Sequence, residues 1–188
     1  IGTFIVKHLC AYLKGNGVTS ISLLATDLGF PLYKKAGFIE QTEYLFYERK
    51  GPIRNEISKN IVSFSDDDRE EIIGLDRKIS GENRANILRN KMRNSYIYKS
   101  NNKILGYYLP ELGEGFIIAE DSEAGIELMK VRFLKQNKGI LPVDNSDGIK
   151  FIQNEGFSEV RRAKRMILGE AFPWSPDKIY NRIAGKVG

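Results

Sequence analysis

The chain has 188 residues, 41% hydrophobic and 28% charged, enough for one sizeable core or two small ones, and it holds no apolar run long enough to span a bilayer. Its formal charge is +5, but the densest basic run, "RRAKR" from Arg161 to Arg165, has an acidic counterpart in "DDDREE" from Asp66 to Glu71. Without aromatic residues interleaved among lysines on one exposed face, nucleic acid is not the expected partner. A single cysteine, Cys10, and a single histidine, His8, exclude an intrachain disulfide and a zinc cluster, and fit a reducing, cytoplasmic setting.

The opening "IGTFIVKHLCAYLKGNG" runs straight into a helix, with Phe4, Ile5, Leu9, Tyr12 and Leu13 at helical spacing and Gly15 to Gly17 ending the run. Cys10 reads as a buried structural thiol within it. No strand precedes this helix for it to pack on, so the first domain is expected to lack its opening strands in this chain. "ISLLATDLGFPLYKKAGFIEQTEYLFY" then reads as a strand, a turn with Gly29 and Pro31, a short helix stopped by Gly37, and a second strand carrying Phe38 and Tyr44 to Tyr47. The polar stretch around Gly51 and Pro52 suits a linker.

Beyond it, "IVSF" is strand-like, Ser65 caps a helix whose first turn holds Asp66 to Asp68, and "SGENRANILRNKM" is another short helix. "SYIYK" and "KILGYYLPEL" form a hairpin about "SNN", and "GEGFIIAED" is a strand leading into a helix from Ser122 to Lys135. "RRAKR" alternates inside a strand before "MILG" and reads as a solvated basic edge. Pro176 starts a short helix in the tail, with Trp174 before it as an apolar anchor.

The chain repeats itself. Ile21 to Tyr47 aligns without a gap on Ile140 to Met166, matching Gly29 to Gly148, Gly37 to Gly156 and Phe38 to Phe157, and each stretch follows a helix. The copies differ where chemistry is expected: Tyr33 meets Ile152, Gly2 meets Asp121 and Thr26 meets Asn145. The second copy keeps the scaffold and loses both the tyrosine and the glycine that lets a phosphate approach backbone donors.

These residues resemble the GCN5-related N-acetyltransferase (GNAT) superfamily. "IGT" before an amphipathic helix resembles the end of its acetyl-CoA signature, and "LLATDLGFPLYKKAGF" resembles its next motif, a strand and a helix ending in Tyr, three residues, Gly and Phe. "LDRKISGENRANIL", with Gly81, Arg84 and Leu88, together with "KILGYYL", "FIIAED" and "NEGFSEVRRAKRMILG", resembles the C-terminal acetyltransferase-like domain of a two-domain subgroup. The resemblance implies an α/β (α+β) fold of tandem GNAT-like domains, a mixed central sheet flanked by helices. Residues 1–50 would be the C-terminal part of an N-acetyltransferase domain, 51–60 a linker, and 61–188 a second, non-catalytic domain.

It further implies transfer of acetyl from acetyl-CoA, as co-substrate, to a small-molecule or peptide amine by direct attack. Tyr33 would be the catalytic acid that protonates the departing thiolate, a task suited to a phenol, whose ordinary pKa is about 10. Gly2, Thr3, Thr26 and Phe30 would bind the cofactor, with Thr26 standing where the family frequently has Asn. No metal and no membrane enter this reading, a homodimer is compatible with it, and the general base would come from strands absent here. The alternative is a non-catalytic GNAT-like interaction or regulatory protein.

Overall fold

The structure, a computed structural model, describes residues 2–183. The first copy supplies helix α1 (Gly2–Gly15), strand β1 (Ser20–Ala25), helix α2 (Phe30–Lys35) and strand β2 (Ile39–Glu48). After the linker come β3 (Ile61–Ser63), a 3-10 turn at Asp66–Asp68, α3 (Arg69–Ser80), α4 (Ala85–Arg89), and β4 (Tyr96–Ser100), β5 (Lys103–Leu109) and β6 (Phe116–Ala119). The second copy repeats the first as α5 (Ser122–Phe133), β7 (Lys138–Pro142), α6 (Ser146–Asn154) and β8 (Ser158–Gly169). A 3-10 turn at Pro176–Lys178 and β9 (Ile179–Asn181) follow.

Local chemistry accounts for the element ends. The Asp68 carboxylate accepts from the Ser65 amide at 2.9 Å and its hydroxyl at 3.0 Å, closing the turn that launches α3. Gly81 ends α3 in the left-handed region at φ 71°, its N–H donating to the Arg77 carbonyl at 3.0 Å. The β4–β5 hairpin turns on Asn101 and Asn102, both at positive φ (49° and 61°), conformations that asparagine tolerates.

The strands form two sheets, ordered β1-β8-β2-β7 and β3-β4-β5-β6-β9, whose pairings among the described residues are antiparallel where a mixed arrangement is expected. The first interleaves the copies: β8 of the second lies between β1 and β2 of the first. Tyr44 and Ala163, which hold corresponding places in the two copies, face each other in the β2–β8 register. The sheets meet at β9, which pairs with β6 on one side. On the other, its Asn181 side chain accepts from the Ile140 amide at 2.9 Å, and the Arg182 amide donates to the Ile140 carbonyl at 3.1 Å.

This pairing corrects the reading of "RRAKR" as a solvated edge. Arg161 and Arg162 are exposed as read, but β8 is an interior strand: Arg161, Ala163 and Arg165 share the face toward the space between the sheets, and Arg165 is buried. The face of α1 also differs from expectation. Val6 and Cys10 turn toward the sheet, Cys10 buried as read, whereas Phe4, Ile5, Leu9 and Tyr12 are exposed. Among the described residues, no helix is long and apolar enough to cross a membrane.

Candidate active site

The residues singled out in the first copy gather around α2. Tyr33 and Phe30 pack with Val6, Leu23, Phe38 and Met166 on one face of the first sheet. The Tyr33 ring meets Phe38 edge-on at 5.7 Å, and the Phe38 amide donates to the Tyr33 carbonyl at 3.1 Å, so the end of the helix fixes the ring's position. Tyr33 is half-buried, and among the described residues its hydroxyl makes no side-chain hydrogen bond. Gly2 and Thr3 begin α1 beside this helix. A Cβ at Gly2 would stand 2.8 Å from Leu32 Cδ1, so the glycine also serves the close packing of α1 on α2. The Phe30 ring lies under the Lys164 ammonium, 4.8 Å from its centroid.

Thr26 links this cluster to the other face of the sheet. Its carbonyl accepts from the amides of Gly29 and Phe30 at 2.9 and 2.8 Å, setting the turn into α2. A Cβ on Gly29 would lie 3.0 Å from Tyr33 Cε2 and 3.6 Å from Thr26 Oγ1, which places the hydroxyl of Thr26 and the edge of the Tyr33 ring against the same glycine. Thr26 is also at the rim of a cleft of about 370 Å3 between the two sheets.

The arginines of that cleft were not assigned to a site from the sequence. Leu24, Tyr44, Phe46 and Ala163 form its floor, and Ile79, Phe116, Ile118 and Trp174 the facing wall. Four guanidiniums line it: Arg84, Arg161, Arg165 and Arg182. Arg84 is held by two hydrogen bonds to Asp76, at 2.6 and 3.1 Å, and Asp76 also accepts from the Tyr107 hydroxyl and from Ser80. Burial pulls the Arg84 pKa down, but the Asp76 hydrogen bonds and charge outweigh it, and the net direction is up.

The others are less well matched. Arg165 lies 3.8 Å over the Trp174 ring; its nearest carboxylate, Glu82, is 4.0 Å away, too far to hydrogen-bond, and burial lowers its pKa. Arg182 reaches Glu114 at 3.4 Å, while its buried Nε has no partner among the described residues. Arg161 sits 3.7 Å over Phe46 and forms no ion pair among the described residues. The buried Tyr44 hydroxyl stands among Arg165, Arg182 and Arg84; burial raises its pKa and the three cations temper the rise. One signal was available: Arg161, Ala163 and Arg165 at a two-residue spacing in a strand must share a face.

The second copy repeats the elements of the first but carries other residues where the candidate site residues stand. The Asp121 carboxylate caps α5, accepting from the Ala124 amide at 2.9 Å, so an anion already occupies that helix start. Ile152 is fully buried in the core. Asn145, in the place of Thr26, caps α6 through the Gly148 amide at 2.7 Å and donates to the Ile179 carbonyl at 2.9 Å, tying the tail strand down.

A family model described as an acetyltransferase (GNAT) domain matches residues 72–181. Among solved structures, a candidate acetyltransferase from Pyrococcus horikoshii is similar at 25% identity and a TM-score of 0.81, over 100% of this chain and 66% of that one. A candidate GNAT-family acetyltransferase from Novosphingobium aromaticivorans is similar at 12% identity and a TM-score of 0.54, over 81% of this chain and 74% of its own. For a GNAT-family acetyltransferase from Colwellia psychrerythraea the values are 11% and 0.52, over 81% and 66%. The latter two share the fold alone. No curated protein matches the sequence.

Proposed function

Because the chain belongs to the GNAT acetyltransferase family, we propose that it is part of an N-acetyltransferase that moves acetyl from acetyl-CoA to an amine by direct attack. The observation that carries this reading is the placement of Tyr33: a half-buried phenol at the end of α2, with no side-chain partner for its hydroxyl among the described residues, against the same glycine as Thr26 at the rim of the cleft. Acetyl-CoA supplies the thioester; the amine nitrogen bonds to its carbonyl carbon and gives up a proton to water, the carbon–sulfur bond breaks, and the thiolate takes a proton from Tyr33, which water then reprotonates.

The residues of the first copy fit such a co-substrate and those of the second do not. Gly2 and Thr3 open a helix with no acidic residue in its first turn, whose amides favour an anion, and Thr26 and Phe30 lie along the way to Tyr33. Asp121 and Ile152 close the corresponding places in the second copy. Residues 1–50 therefore form the reacting part, 51–60 the linker, and 61–188 a non-catalytic unit that lends β8 to the first sheet and walls the cleft. The acceptor is a small-molecule or peptide amine, the setting cytoplasmic, and a homodimer is compatible.

The test is coenzyme A release by the full protein with a panel of amines, for wild type and Tyr33→Phe. Acetyl transfer that depends on the Tyr33 hydroxyl supports the reading, and its absence with every amine refutes it.

A further inference from the structure

The charge of the cleft bears on what occupies it. Around it stand the four guanidiniums of Arg84, Arg161, Arg165 and Arg182, with the carboxylates of Asp76, Glu82 and Glu114 near them and Asp144, held by Thr42, acting on Tyr44 of the floor. Asp76 is consumed by Arg84, Tyr107 and Ser80. Glu114 serves Arg182, and Glu82 is 4.0 Å from both Arg84 and Arg165. No carboxylate comes within hydrogen-bonding distance of Arg165, and Arg161 forms no ion pair among the described residues.

Arg165 is only 9% exposed, and burying a guanidinium without a hydrogen-bonded anion is unfavourable. Its guanidinium carbon nevertheless sits 3.8 Å over the Trp174 ring, and a guanidinium presents a planar fork suited to a two-oxygen acceptor. The surrounding walls are apolar, from Leu24, Phe46, Phe116 and Ile79.

We infer that the cleft holds the acceptor through a carboxylate: the substrate is a small amine that also carries one carboxylate group on an apolar body, with Arg165 as the residue that binds the carboxylate. Its location fits. Arg165 pairs with Leu24 across the strands, and Thr26, two residues on, about 7 Å at strand rise and just past the end of β1, lies near Tyr33. One small molecule can reach from the guanidinium to the neighbourhood of the proton donor. The inference names the acceptor class of the proposed acetyltransferase and rests on that reading for the amine alone.

The experiment is calorimetric binding to the full protein, with N-acetylglycine, N-acetylleucine and N-acetylphenylalanine as product-like probes and their neutral methylamides as controls. At least one carboxylate probe is expected to bind, with its methylamide 10-fold or more weaker. Arg165→Met should remove that difference and Arg165→Lys restore part of it. Arg161→Gln, on an exposed side chain that leaves the core untouched, should weaken the carboxylate probe several-fold without lowering the melting temperature. Failure of all three carboxylates to bind overturns the inference, as does equal binding of a carboxylate and its methylamide. Because no step of this assay needs acetyl-CoA, selective carboxylate binding by a protein that releases no coenzyme A would uphold the cleft and overturn the proposed reaction.

Discussion

Removing the Asp76 carboxylate, as in Asp76→Ala, withdraws the anion that makes the burial of Arg84 tolerable. Asp76 is 1% and Arg84 8% exposed, and the variant loses two hydrogen bonds to the guanidinium, one from the Tyr107 hydroxyl and one from Ser80. An uncompensated buried cation costs about 3–5 kcal/mol, which in a domain of this size lowers the melting temperature by on the order of 10 °C. Replacing both partners, as in Asp76→Leu with Arg84→Met, removes the buried charge with its anion. The double variant should therefore be more stable than Asp76→Ala, closer to wild type than the sum of single losses predicts. The assay is thermal and urea melting of wild type, both singles and the double. A loss under about 1 kcal/mol for Asp76→Ala, or strict additivity in the double, would refute the claim that this pair is held by mutual compensation.

Gly81→Ala places a Cβ 1.8 Å from the Pro173 carbonyl oxygen at a φ of +71°. It should displace the strap that carries Trp174, lowering both the melting temperature and carboxylate-probe affinity; an unchanged melt would refute the close approach. Asp68 has a pKa below its ordinary 3.8: burial raises it, but hydrogen bonds from Lys99 and Ser65 and the charge of Lys99 outweigh that. Its stabilisation is present above the ordinary carboxylate value and lost as pH falls through the lower folded value, so wild type should destabilise across that acid window and Asp68→Asn should lose part of the slope in pH-dependent melts. Calorimetry of the full protein with acetyl-CoA should give one site per chain, because Asp121 and Ile152 close the second copy; two sites would contradict this.

Much of the architecture was legible because punctuation residues act locally. Gly37 and its counterpart Gly156 sit at positive φ where the sequence placed helix ends, and Asn101 and Asn102 turn the hairpin at the expected place. Ser65 caps its helix through an acid three residues on, again a local event. What the sequence concealed is non-local. Nothing in "SEVRRAKRMILG" says that its strand enters the sheet of the other copy, and an arginine on an interior strand reads the same as one on an edge until its neighbours are known. The strand Ile179–Asn181 is three residues long, too short for a periodic signal, and it exists because Asn145, Ile140 and the edge of β6 bind it. The cleft follows from these two pairings, so its four arginines were visible only as separate charges, with Arg84 marked by the family resemblance alone.

The central claim is that Tyr33 is the proton donor of an acetyl transfer. Tyr33→Phe keeps the ring that packs on Phe38 and removes a hydroxyl with no side-chain hydrogen bond among the described residues, so folding should be unaffected. The measurement is turnover across pH in the full protein, with acetyl-CoA affinity and melting temperature determined on the same samples and a carboxylate-bearing amine as acceptor. The account predicts a fall in turnover of about 10²-fold with affinity and melting temperature within error of wild type. Wild-type turnover by the Phe variant at every pH would contradict it, and Tyr33 would then do no more than close α2 against the sheet.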